Sequence, residues 1–281
     1  MTFSPSNSID ERRQQLALDR LTLMSPVQGL AHAIVHGGFF LALVASVAIF
    51  WQHDFRLAIL VLIPLAIVYT AIFVTAHDCV HQTYTGIKVF DEQWSLFWTR
   101  LAWWPQHSYR LIHHLHHEMV GQDYNDPERV TYLKSEFESA SWAVLCYIRH
   151  QWLLNIFCFG GVGFVINYWK IARRNCEMYP QLIVAMRKDF FGCAVMFCLQ
   201  LGVANYFGLL GEYLVSFFVV ERIAGGFLQF RALCEHYGLW SNCESNVMLS
   251  RIRSSRNVRA GVFSAGFLMT FVFIRFTMHF H

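Results

Sequence analysis

The chain has 281 residues, 55% of them hydrophobic and only 15% charged, with 26 Phe, 9 Trp and a mean hydropathy of +0.35; a typical soluble domain carries about 25% charged residues. This excludes an ordinary soluble fold and indicates an integral membrane protein. The net charge of +3 gives no ground for a nucleic-acid partner, and eight Cys scattered singly without a CxxC pair argue against a zinc ribbon, a redox disulfide motif or a secreted disulfide scaffold.

The first 30 residues are mostly polar and lack the charged-then-apolar order of a cleaved signal peptide. They read as a solvated tail or short amphipathic helix. About 20 mostly apolar residues cross a bilayer, and four stretches qualify. Ala31–Trp51 and Leu57–Ala76 form a first hairpin (31–76) across the link Gln52–Arg56. Phe190–Leu210 and Tyr213–Leu233 form a second (190–233) across Gly211–Glu212. Between them lies a more polar region, 77–189, and a tail, 234–281, follows.

Lys and Arg set the orientation. Three lie in the N-terminal tail, eleven in 77–189 and five after Leu233, whereas the two hairpin tips carry only Arg56. The positive-inside rule then places both termini and the middle region in the cytoplasm. The expected fold is all-α: a single multi-pass domain of four transmembrane helices in two hairpins, with a cytoplasmic helical cap. Ser95–Trp104 is too short to span and reads as interfacial. Trp142–Trp169 is long enough, but Arg149 and His150 interrupt it, and a crossing there would invert everything downstream; it is expected to lie on the membrane surface. Glu221 and Arg222, near the middle of the fourth span, are costly there and find no role in the sequence.

Fourteen His are the outlier. In "HDCVH", His77 and His81 stand at i and i+4 on one helix face, where the second span ends. "HAIVH" (His32, His36) has the same spacing and reads as interfacial. In "RLIHHLHHE", His113, His116 and His117 share a face while His114 points about 100° away. His236 of "FRALCEHYG" ends the fourth span on the same side. Neutral imidazole is a good ligand for a transition metal, and six such candidates suit two metals better than one. The lack of thiolate argues against an iron–sulfur cluster or structural zinc. Imidazole ligation with open positions suits iron that binds O₂.

These boxes resemble those of the membrane fatty acid desaturase family, from about Thr75 to His281. "HDCVH" matches the first histidine box, "HHLHH" the second, "GQDYNDPE" the Asp-Pro stretch that follows, and "FRALCEHYG" the Glu-His segment. The resemblance implies a non-haem diiron centre, that is two iron ions, held by His77, His81, His113, His116, His117, His236 and His281, the last as the opening ligand of a third box of form HxxHH. "FTMHFH" lies over the approach to that box, with His279 as the rival choice. As given, the sequence stops before the closing pair of the third box; if the protein itself ends there, incomplete iron loading is expected.

The implied activity is O₂-dependent removal of hydrogen from an unactivated C–H bond of a lipid acyl chain to form a double bond. A hydroxylase or ketolase of a fatty acyl, alkane or carotenoid substrate would use the same boxes. A membrane electron carrier or metal transporter is the alternative of another class. Asp78 is a candidate to orient a ligand, or a helix-face salt-bridge partner; Asp123 and Asp126 either do likewise or cap a turn. Trp94, Trp98, Trp103 and Trp104 either anchor the interface or line an acyl tunnel. No flavin or dinucleotide fingerprint appears, so an external donor of the ferredoxin, rubredoxin or cytochrome type is expected beside the lipid substrate and membrane lipids.

Overall fold

The computed structural model describes residues 25–119, 126–128 and 134–236; their regular structure is all helical, with no strand among them. Helix α1 (Pro26–His53) opens on Ser25, whose hydroxyl accepts the Gln28 N–H, with Pro26 in the first turn where its missing donor costs nothing. Asp54 alone joins α1 to α2 (Phe55–Val80). Its N–H closes α1 on the Phe50 carbonyl at 2.7 Å, and its carboxylate caps α2 by accepting the Arg56 N–H at 2.9 Å. Phe40 packs on Tyr69 and Val47 clusters with Leu62, so the two helices run antiparallel.

After α2 the chain turns through Gln82 and Gly86, both at positive φ, into α3 (Lys88–Arg100). Buried Asp91 holds this turn: it accepts from the Thr85 hydroxyl at 2.5 Å and the Thr85 N–H at 3.1 Å. α1 lies directly on the turn. A Cβ at Gly29 would sit 2.3 Å from the Tyr84 carbonyl oxygen, so only glycine permits that approach. Between α3 and α4 (Gln106–Met119), Trp103 takes φ +59 and sends Trp104 into the core. Trp104 is 2% exposed and packs on Phe73, Tyr109, Phe164 and Tyr168.

The remaining helices are α5 (Lys134–Glu138), α6 (Trp142–Leu153), a π-helical turn (Leu154–Phe159), α7 (Gly160–Arg174), α8 (Gln181–Tyr206) and α9 (Leu210–His236). Between the π-helical turn and α7 the chain breaks at Gly160, φ +50. A helix break exposes carbonyls on one side and N–H groups on the other, and both sets are met from α9. Glu221 accepts the N–H groups of Gly161 and Val162 at 2.9 and 3.1 Å. Arg222 donates to the carbonyls of Cys158 and Phe159 and to Glu221 itself. Each charge therefore sits at the helix end whose dipole favours it. That accounts for the two intraspan charges, which the sequence marks as costly without supplying their partner.

Among the described residues, four helices are long and apolar enough to cross a membrane: Pro26–His53, Phe55–Val80, Leu154–Arg174 and Leu210–Ala232. The expected number holds, with one member exchanged. Leu154–Arg174 meets the criteria, although the sequence reading lays most of it on the membrane surface. Phe190–Leu210 falls mainly within α8, which carries Arg187, Lys188 and Asp189 ahead of its apolar run. The link between α8 and α9 is also earlier than Gly211–Glu212. It turns at Gly208, φ +69, while Gly211 is ordinary helix.

Without a strong hydrophobic drive between spans, close contact depends on small residues, and a Cβ at Gly225 would fall 1.8 Å from the Gly161 backbone nitrogen. At Gly226 the nearest atom would be 3.5 Å away, an ordinary contact. Gly225→Ala is therefore expected to separate α9 from the break and lower the thermal unfolding midpoint of the detergent-solubilised protein sharply, whereas Gly226→Ala leaves it nearly unchanged.

Candidate metal centre

The last turn of α2 carries His77, and His81 caps its C-terminus. α4 carries His113 and His117. Each helix thus presents two imidazoles one turn apart, and the turn around Asp91 brings the two pairs face to face. One nitrogen from each of the four lies within 4.8 Å of the others. His113 Nε2 is 3.1 Å from His81 Nε2 and 3.0 Å from His117 Nε2.

Carboxylates set the tautomers. Both oxygens of Glu128 lie 3.3 Å from His113 Nδ1, and Asp78 Oδ1 lies 3.2 Å from His77 Nδ1. A ring that donates from Nδ1 presents a bare lone pair at Nε2, the usual arrangement of a metal-binding histidine held by a carboxylate. Asp126 Oδ1 and Oδ2 lie 2.8 and 2.9 Å from His116 Nδ1, and Oδ1 also accepts the Glu128 N–H at 2.8 Å. Asp126 therefore both orients a histidine and shapes the turn that delivers Glu128.

The electrostatics keep His113 and His117 neutral. Burial, reinforced by His77 and His117, holds His113 well below the usual histidine range. Burial and then His81 bring His117 down to about 2. Burial pushes the Glu128 carboxyl up to about 7, against the pull of His116. Imidazole nitrogens bound at about 2.1 Å and at right angles around one ion stand about 3 Å apart, so a first-row transition metal suits this donor set. Tyr109 closes one side by stacking on His113, with ring centroids 4.9 Å apart.

The structure thus joins His77, His81, His113 and His117, with Asp78 against the first of them. His116 sits beside this group, 5.6 Å from His117 between ring centroids, but is not one of the four. His236 is the last residue of α9; its side chain, together with Asp123, His279 and His281, lies outside the described residues. Glu128 was not singled out from sequence, although it closes the string "GQDYNDPE" that contains Asp126.

Replacing any one of His77, His81, His113 or His117 by Ala should weaken Co²⁺ binding at least about tenfold, whereas exposed His114→Ala should leave it unchanged in the same absorption titration. The metal-free protein should also be acid-sensitive. Above the ordinary histidine pKa near 6.5, His113 and His117 are neutral in both folded and unfolded chains. Below it, only the unfolded chain takes up their protons, so stability falls as pH falls. Unfolding midpoints measured at pH 7.5 and 5.0 should differ more for the wild type than for the His113→Asn, His117→Asn double variant.

No curated protein matches the chain by sequence. The fatty acid desaturase family model matches residues 54–281, a span that runs from the cap of α2 through both described histidine boxes and α9. With most of its length covered by that match, and with its first two histidine boxes meeting at one partly buried group of imidazoles, the chain belongs to the fatty acid desaturase family.

Proposed function

We propose that the protein is an O₂-dependent oxidoreductase that removes hydrogen from an unactivated C–H bond of a lipid acyl chain and leaves a double bond. The observation that carries this reading is the convergence of His77, His81, His113 and His117 within 4.8 Å in a chain of this family. His116, His236 and His281, or His279 in its place, complete the ligand set of a diiron centre. Iron bound there supplies the O₂-activating chemistry. The chain's own part is to keep His113 and His117 unprotonated, orient His113 through Glu128 and His77 through Asp78, and shield the site with Tyr109.

Orientation follows the positive-inside rule, with the metal site and both termini cytoplasmic. This arrangement has α8 and α9 as the second membrane hairpin and α7 along the membrane surface, although Leu154–Arg174 is long and apolar enough to cross; exposed Phe190, Phe191, Val195 and Leu199 of α8 then face lipid. Electrons arrive from an external ferredoxin-, rubredoxin- or cytochrome-type donor.

Product mass tests the reaction. Iron-loaded protein in lipid vesicles, given reductant, donor and O₂, is expected to yield acyl chains lighter by two hydrogens. Gain of one oxygen would assign a hydroxylase or ketolase instead. An intense Soret band in the purified protein would overturn non-haem iron altogether.

A further inference from the structure

α8 carries a stripe of polar side chains that engages the segment leading into the second histidine box. Asp189, Cys193 and Gln200 are four and eleven residues apart, within about 40° of one another around the helix. Gln200 donates to the Leu101 carbonyl at 3.2 Å, and the Cys193 thiol to the Trp104 carbonyl at 3.7 Å. Asp189, 1% exposed, accepts from the His107 N–H at 2.9 Å, the Ser108 N–H at 2.8 Å and the Ser108 hydroxyl at 2.8 Å, and faces His107 Nδ1 at 2.7 Å. At Gly192, on the same helix, the Arg100 guanidinium occupies the place a Cβ would take.

His107 and Ser108 belong to the first turn of α4, where N–H groups have no partner within the helix. A carboxylate is favoured there by the helix dipole, and this one comes from a residue more than 80 positions away. A slip of α4 by one residue would rotate it about 100° and shift it about 1.5 Å. Either change would separate nitrogens that meet at 3.0 and 3.1 Å. We infer that Asp189 is a positioning residue of the metal centre: it fixes the height and rotation of α4, and through them the Nε2 atoms of His113 and His117. This inference rests on the reading that the four histidines bind metal.

The test is a Co²⁺ titration of the full-length, metal-free chain in detergent, with helicity followed by circular dichroism. Asp189→Asn keeps the shape but turns a donor toward donors. It is expected to bind Co²⁺ roughly tenfold more weakly and to show an altered visible spectrum at saturation, with helicity retained. A lowered unfolding midpoint with wild-type affinity and spectrum would reduce Asp189 to a structural cap and overturn the inference. Should Asp189→Asn fail to fold, Ser108→Ala removes one of the four contacts and decides the matter by the same two readouts, unchanged values overturning the inference. Absence of Co²⁺ binding by the unmodified chain overturns the metal-centre reading and this inference with it.

Discussion

Crowding neutral imidazoles around a common point is the constraint on which the site depends. His113 Nε2 has two other imidazole nitrogens within about 3.1 Å, a separation that tolerates neither a proton on every ring nor random ring orientation. Burial removes the protons of His113 and His117, and carboxylates remove rotational freedom. Asp78 and Glu128 do this for two rings of the group, and Asp126 for the neighbouring His116. The carboxylates are thus as much a part of the donor set as the nitrogens they face, because the tautomer decides which nitrogen can bind a metal.

Keeping two helix ends in register requires a scaffold beyond the boxes themselves. Asp91 sets the turn that follows α2, and the Trp103–Trp104 connector sets the direction of α4. Farther away, Glu221 and Arg222 hold α7 against α9 by satisfying both sides of the Gly160 break. The same device recurs at Asp91, Asp189 and Glu221: a carboxylate accepts backbone N–H groups that a turn or helix start leaves unpaired. In a membrane protein this is effective, since such groups find little water to bond instead.

The sequence makes the histidines legible because their spacing is local: i and i+4 on one helix is a property of five residues. It also marks Asp78 and Asp126, which adjoin or closely follow the boxes. Glu128 was missed because its partner, His113, lies across a turn. Asp189 was missed because its partners lie more than 80 residues upstream. Glu221 and Arg222 stand out as anomalies, but only the fold reveals the break they hold. The span boundaries moved for chemical reasons: Asp54 closes one helix while capping the next, and Gly208, at positive φ, makes the turn that was expected at Gly211–Glu212.

The central claim is that the described imidazoles bind iron directly. X-ray absorption at the iron edge of the iron-loaded protein tests it most closely. The account predicts a first shell dominated by nitrogen, with the outer-shell scattering of imidazole rings, and a loss of that imidazole contribution in His113→Ala. A first shell of oxygen and sulfur without an imidazole signature would contradict it.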